Sequence, residues 1–183
     1  MRKLLLPALL LLGAAGCARE PGFRPDEVLD WSIQEYSIHY DGCTDSPNWR
    51  SSFVSTIERN EPRRAVRLSE DAQTAQMLFC GASPTSACVP IEPAVVFTVD
   101  GNSLRYTKTI LQAIDGSACR ISFAQSIVIE DRGEEMTETY TYDYALVGEA
   151  EPCAEFNGRI AAQGTNGIGI DGCTVTIVSQ GVL

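Results

Sequence analysis

The sequence predicts an all-β protein, an antiparallel barrel or sandwich of about eight or nine strands cross-linked by disulfides. Apolar and polar residues alternate with period two along much of the chain, as they do in strands with one buried face. Turn-forming residues interrupt this alternation about every ten residues, and six cysteines fall within the alternating part. The 183 residues are 44% hydrophobic, which is enough for the core of one domain.

The alternation begins in a strand predicted over 31–40. Its pattern slips at Gln34–Glu35, which indicates a β-bulge. The dipeptide Asp100-Gly101 is typical of a tight hairpin turn. Further strands are predicted at 53–57, 95–99, 104–106 and 175–177.

The longest predicted hairpin covers 119–147 and turns near Asp131-Arg132-Gly133. Its alternation predicts one buried face and one wetter face, and the wetter face carries Thr137, Thr139 and Thr141. The expected buried side chains are Ile121, Phe123, Ile127, Ile129, Tyr140, Tyr142 and Leu146.

Two segments fit either a helix or a strand. In 69–81, Ser69 and Gly81 stand where a helix would start and stop, yet the apolar residues alternate. In 152–163, Pro152 and the following Gly164 are also placed like helix signals beside a similar alternation. We favour a strand in both segments.

The N-terminus has the pattern of a secretory signal peptide over residues 1–16. Arg2 and Lys3 precede an apolar run, and small residues lead into Cys17. This arrangement resembles the lipobox of bacterial lipoproteins, although Ala14 replaces the usual leucine. The resemblance implies that Cys17 becomes the lipidated N-terminus, carrying acyl chains such as palmitate. A Pro- and Gly-containing tether is expected over 17–27, followed by a single β domain over 28–183.

Cysteine counting gives separate support to lipidation. The chain has seven cysteines, an odd number that leaves one to explain in an exported protein. If Cys17 carries lipid, the others can form three disulfides, of which a local Cys80–Cys88 bridge is the easiest to predict. Secretion without lipid remains the alternative. The cysteines expected in disulfides are Cys43, Cys80, Cys88, Cys119, Cys153 and Cys173.

The charge of the chain limits its partners. It has 14 Lys and Arg against 24 Asp and Glu, a net charge of −10, which argues against nucleic acid and against docking on anionic lipid by charge. We therefore expect contact with the membrane through the lipid alone. Ala18, in place of an aspartate after the lipidated cysteine, implies by the lipoprotein resemblance an outer-membrane location in the cell envelope.

Trp31 lies near the start of the first strand, and the segment 142–147 (YDYALV) precedes Cys153. These two short segments resemble lipocalin motifs. Leu29 stands where the lipocalin motif has glycine, and Tyr142 replaces its threonine. The resemblance covers under a tenth of the chain, and it implies an up-and-down barrel with an internal ligand pocket.

No catalytic constellation, metal site or cofactor motif emerges. The only histidine, His39, is out of phase with the apolar residues of its strand, which predicts a surface position. The segment 164–172 (GTNGIGIDG) contains one unit like a calcium-binding repeat, but such units work in arrays, so we interpret it as a loop. Carboxylates at the hairpin tip are expected to serve solubility and edge protection; they are Glu130, Asp131, Glu134 and Glu135.

One candidate ligand pocket follows from the hairpin register. Glu138 shares its face with tyrosines, and Gln125 lies on the facing strand at a nearby predicted rung. Such a polar pair could orient a ligand inside a barrel. The alternative, which we favour, is that the face turns outward or bulges so that Glu138 reaches water. The pocket residues would be Gln125, Glu138, Tyr140, Tyr142 and Tyr144.

Three function classes remain. The leading hypothesis is a lipid-anchored envelope protein whose non-catalytic β domain serves protein interaction or structural support. The alternative is a lipocalin-like binder of an apolar or aromatic small molecule, and a hydrolase is the remote third. A cavity above roughly 300 Å³ lined by the three tyrosines would favour the binder, and a filled core with a flat apolar patch would favour the interaction module.

Overall fold

The computed structural model describes residues 19–59, 63–81 and 86–183. The predicted signal peptide and Cys17 therefore lie outside the described residues. In chain order the elements are β1 (Val28–Asp41), α1 (Pro47–Arg59), β2 (Arg63–Leu68), β3 (Thr74–Cys80), β4 (Cys88–Pro90), β5 (Val96–Asp100), β6 (Ser103–Ala113), β7 (Arg120–Asp131), β8 (Glu135–Val147), α2 (Ala150–Ala161) and β9 (Thr174–Val182).

Eight of these strands form a closed antiparallel barrel. Their order around the barrel is β2-β1-β9-β8-β7-β6-β5-β3, and pairing of β2 with β3 closes the ring. Consecutive barrel strands are neighbours, so the topology is up-and-down, while β4 adds a short extra strand to β3. The prediction of an all-β fold is confirmed, with a barrel and not a sandwich.

One end of the barrel interior is filled with apolar side chains. Trp31 and Phe97 are almost completely buried there, together with aliphatic residues from the surrounding strands. At the other end α1 covers the opening, where Trp49 and Phe53 pack against tyrosines of β1 and β8. The interior is therefore densely packed at both ends, which leaves the middle of the barrel for a cavity.

The β7–β8 hairpin has its predicted inner face. Ile129 and Met136 are fully buried, whereas Thr137 and Thr139 on the other face are half-buried. Of the side chains expected to be buried, Ile127 and Ile129 are buried, and Ile121, Phe123, Tyr140, Tyr142 and Leu146 are half-buried. The register shift expected in β1 also occurs, between Ile33 and Glu35.

Two strand predictions are wrong and one is confirmed. The segment 53–57 belongs to α1, and 152–163 falls largely in α2. The overlooked signal at α1 was Pro47 after Ser46, which is typical of a helix start, and at α2 the helix signals Pro152 and Gly164 outweigh the alternation that favoured a strand. In 69–81 the favoured strand is confirmed as β3.

Three disulfides cross-link the fold and use all six cysteines after Cys17. The predicted local bridge Cys80–Cys88 is confirmed. Cys43–Cys173 joins the segment after β1 to the residue before β9, and Cys119–Cys153 joins the residue before β7 to α2. The last bridge matters locally, because α2 contains no buried residue that would hold it by packing.

The segment expected to be a tether is folded against the barrel from Arg19 onward. Arg19 and the backbone of Gly22 bind the carboxylate of Asp131, which also accepts a hydrogen bond from Gly133 N–H. These four residues are called the N-terminal clamp below. Asp131 is completely buried, so its assignment to the solvated carboxylates of the hairpin tip is wrong. Among the described residues, no helix has the length and apolar character needed to cross a membrane.

Candidate functional site

A cavity of about 280 Å³ lies inside the barrel, between the filled core and the residues beneath α1. Strands β2 and β3 line it on one side and β6, β7 and β8 on the other. Phe79 is 54% exposed, so it stands where the cavity opens to solvent. The lining side chains are Arg63, Arg64, Met77, Leu78, Phe79, Cys80, Ile91, Val95, Tyr106, Gln125, Ile127, Tyr140 and Tyr142.

A hydrogen-bonding edge faces this cavity from β7 and β8. Gln125 is paired with Tyr142 in the sheet, and its Nε2 donates to the Tyr142 hydroxyl oxygen at 3.3 Å. Burial raises the pKa of Tyr142, which keeps the phenol protonated and able to donate a hydrogen bond in turn. The pair therefore offers a ligand an amide oxygen and a hydroxyl donor.

Two consecutive arginines of β2 border the cavity on the opposite side, and each faces a carboxylate. Side chains alternate along a strand, so Arg64 points into the barrel and Arg63 points outward. Arg63 Nε donates to both oxygens of Asp30 at 3.0 Å. Arg64 Nε lies 3.8 Å from Glu138 Oε2, and the Arg64 side chain is 14% exposed. The guanidinium that faces the barrel interior is thus that of Arg64, which is balanced by Glu138, whereas Arg63 pairs with Asp30 on the outer face of the sheet.

Glu138 is completely buried, which makes the favoured expectation that it reaches water wrong. Its Oε1 accepts a hydrogen bond of 2.8 Å from Trp31 Nε1. Burial raises the pKa of Glu138, while Arg64, Trp31 and Tyr140 act in the opposite direction. Glu138 does not line the cavity and lies behind Tyr140 and Arg64, next to the filled core.

The predicted pocket residues are only partly brought together. Gln125, Tyr140 and Tyr142 line the cavity. The expected pairing of Gln125 with Glu138 is wrong, because Gln125 is opposite Tyr142 and Glu138 is opposite Ile129. Tyr144 lies beneath α1, stacked on Phe123 at 5.7 Å between ring centroids and not in the cavity lining.

Sequence reasoning missed the inward-facing arginine of the cavity, Arg64. Arg64 stands two residues before Val66 and four before Leu68, in phase with both along β2. An inward arginine is expected only where a buried acid can balance it. The buried partner, Glu138, lies far away in sequence, so the alternation of β2 alone did not reveal the pair.

Two further polar features noted in the sequence lie outside the cavity lining. His39 is exposed on the outer face of β1, near Ser37. In the 164–172 loop, Asp171 accepts a hydrogen bond from Leu146 N–H at 2.8 Å, so it binds backbone. Asp30 lies close to the sulfurs of Cys80 and Cys88, but that disulfide has no thiolate to offer a metal.

No family model, curated protein or solved structure matches this chain. The lipocalin resemblance of Trp31 and of the segment 142–147 therefore stays a prediction. The three disulfides are consistent with an exported protein, because such bonds persist in oxidising compartments.

Proposed function

We propose that this chain is an exported, lipid-anchored barrel that binds a small neutral molecule with an apolar body. The observation that carries the proposal is the interior cavity, in which apolar walls meet the hydrogen-bonding pair of Gln125 and Tyr142. A mostly apolar pocket with a few placed polar groups is the usual form of a small-molecule site. This favours the binder over the interaction module that the sequence placed first.

The size of the cavity limits the ligand. At about 280 Å³ it falls just below the roughly 300 Å³ that favoured a binder from the sequence, and Tyr144 is not part of it. It still exceeds the ~150 Å³ of a protein cavity known to admit benzene. The proposed ligand is therefore a single-ring aromatic or short aliphatic compound.

The charges around the cavity favour a neutral ligand. Arg64 already faces Glu138, so a ligand carboxylate would compete with that acid for the guanidinium group. An ammonium group would meet the like charge of Arg64 in a confined space. A hydroxyl, amide or ring N–H can instead bind Gln125 and Tyr142 without a charge penalty.

Calorimetry with three matched ring compounds tests this directly. We expect para-cresol to bind more tightly than benzoate or benzylamine. Gln125→Leu should weaken para-cresol binding by roughly three- to tenfold, the value of one hydrogen bond. The matched control Gln180→Leu makes the same change on the outside of β9 and should leave binding unchanged.

Two results would contradict the binder. One is the absence of any heat with all three compounds. The other is equal binding by wild type and Gln125→Leu. Native mass spectrometry of protein from its own host adds an independent readout, because a bound ligand would increase the mass of the folded species and be lost on unfolding.

The anchor is supported by the lipobox-like residues and by the cysteine count. With six cysteines in disulfides, Cys17 is the cysteine left for lipid. Cys17→Ser should move the protein from membranes to the soluble fraction and remove the mass of the acyl chains. Unchanged membrane association of this variant would overturn the anchor and leave the cavity proposal standing.

Protein interaction remains the second candidate, favoured by the exposed rim of the cavity. Phe79 and Val89 are cross-strand partners and are 54% and 51% exposed. Exposed apolar neighbours of this kind occur at docking sites. Phe79→Ser should abolish binding of a protein partner at the rim, whereas it should only alter the affinity of a small ligand held deeper in the cavity.

A further inference from the structure

We propose that the N-terminal clamp fixes the orientation of the barrel on a membrane, with the clamped end facing the lipid and the cavity in the half facing water. The inference rests on lipid attachment at Cys17, which is part of the proposed function. It adds the orientation of the barrel on the membrane and the side from which a ligand enters the cavity. Neither follows from lipidation alone.

The clamp holds Arg19 at several points. Arg19 Nη1 donates to both carboxylate oxygens of Asp131 at 2.7 Å and to the backbone oxygen of Gly133 at 3.0 Å. Gly22 N–H donates to the same carboxylate at 2.9 Å, and Phe23 packs against the filled core. The chain is therefore fixed on the barrel at its first described residue.

Gly133 shows how closely the segment approaches the hairpin. A Cβ at this position would lie 2.6 Å from the backbone oxygen of Arg19, and the φ of Gly133 is +95°. Both facts require glycine at the turn. The close approach of the N-terminal segment to the turn between β7 and β8 thus depends on the glycine at position 133. We take this contact to be a specific part of the fold.

Chain connectivity then places the lipid next to this end of the barrel. Cys17 stands two residues before Arg19, so their Cα atoms lie within about 8 Å of each other. A free tether over 17–27 would instead allow the domain to move up to roughly 30 Å from its anchor. With the clamp closed, the acyl chains and the turn at Gly133 must remain close together.

The cavity lies away from the clamped end. From Asp131, β7 passes Ile129 in the filled core before it reaches Ile127 and Gln125 in the cavity lining. The six residues from Asp131 to Gln125 span about 20 Å of strand. A ligand should accordingly enter the cavity from the aqueous side and not from the bilayer.

Surface charge cannot supply this orientation by itself. The exposed side chains near the clamped end are largely acidic, and anionic lipid would repel them. They include Glu70, Asp71, Asp100 and Glu134. Orientation must therefore depend on the clamp acting together with the covalent anchor, which makes Arg19 the residue to test.

Photocross-linking to lipid measures which end faces the membrane. The acylated protein is reconstituted in vesicles of phosphatidylethanolamine and phosphatidylglycerol, with p-benzoylphenylalanine in place of either Glu134 or Asn48. Glu134 is exposed beside the clamp, and Asn48 is exposed on α1 at the far end. We expect several-fold more lipid adducts from position 134 than from position 48.

Arg19→Ala in the same proteins should reduce this bias, and Arg24→Ala, on an exposed arginine of the same segment, should preserve it. Equal cross-linking at both positions in the wild type would overturn the orientation, and this comparison needs no variant of the clamp. The orientation would also be overturned if the Arg19→Ala protein kept the full positional bias. Near-ultraviolet circular dichroism would have to show that this variant is folded.

The intact mass of the protein tests the lipid anchor separately from the orientation. A membrane-extracted protein without acyl chains would refute lipidation, and the orientation would fall with it. An acylated protein that shows no positional bias would refute only the orientation.

Discussion

The indole Nε1 of Trp31 donates a 2.8 Å hydrogen bond to Oε1 of Glu138, joining β1 to β8 across the intervening β9. Trp31 is 1% exposed and Glu138 is 0% exposed. A buried carboxylate is costly unless hydrogen bonds and a counter-charge compensate it. Trp31 supplies a hydrogen bond and Arg64 supplies the counter-charge, so the stability of the barrel interior depends on both side chains.

Trp31→Phe should lower the free energy of unfolding by about 1.5–3 kcal/mol, because a buried charged acceptor loses its donor. Urea unfolding monitored by circular dichroism measures the change. Trp49→Phe removes an indole from a partly exposed position beneath α1 and should cost less. Equal losses for the two variants would show that lost packing, and not the hydrogen bond to Glu138, is responsible.

The stability contribution of Glu138 should depend on pH. Burial raises the pKa of Glu138 above its ordinary value of 4.5, so between 4.5 and the folded pKa the folded protein holds a proton that the unfolded chain has lost. Wild-type stability relative to Glu138→Gln should therefore fall as pH rises through this interval, by about 1.4 kcal/mol per unit of pKa shift. Urea titrations of both proteins at several pH values measure the difference. A constant difference across the interval would contradict the raised pKa.

The clamp should contribute to stability as well as to orientation. Arg19→Ala leaves the carboxylate of Asp131 buried without its cation, which should cost about 3 kcal/mol. Arg24→Ala changes an exposed side chain in the same segment and should stay within about 0.5 kcal/mol. Thermal or urea unfolding of the non-acylated domain gives both values. If Arg19→Ala lowered the free energy of unfolding by no more than Arg24→Ala does, the clamp would not be formed in solution.

The three disulfides should contribute different amounts to the free energy of unfolding. Cys43–Cys173 spans 130 residues of chain and Cys80–Cys88 spans 8. Because a longer closed loop restricts the unfolded chain more, replacing the first pair by serine should cost roughly 2–3 kcal/mol more than replacing the second. Urea unfolding, with intact mass to confirm the remaining bridges, provides the comparison. The reverse order would show that native-state effects outweigh chain entropy.

Local alternation was enough to predict most of the strands and the inner face of the main hairpin, although no strand was predicted at β4. It succeeded because strands such as β7 and β8 have one face against the core, which imposes period two. It failed at the two helices, α1 and α2. Phe53 was assigned to a strand because its neighbours alternate by coincidence, and α2 buries no residue that would impose a helical period.

The candidate site was harder to predict, because its contacts connect distant parts of the chain. Gln125, Tyr140 and Tyr142 were found from one hairpin, whose register is local. Arg64 and Trp31, which compensate the buried carboxylate of Glu138, lie on other strands. Without these partners in view, the sequence favours an exposed Glu138. Asp131 was misassigned for the same reason, since its partner Arg19 is 112 residues away.

The pairing of Cys43 with Cys173 has a consequence for biogenesis. A polypeptide exported from its N-terminus presents Cys43 to the oxidising compartment while Cys173 is still on the other side. An oxidase that joins cysteines in order of arrival would connect Cys43 to Cys80, a non-native pair. Under such oxidation, correct maturation needs thiol–disulfide exchange after the last strand arrives, and a cell lacking a disulfide isomerase should then accumulate scrambled forms of this protein.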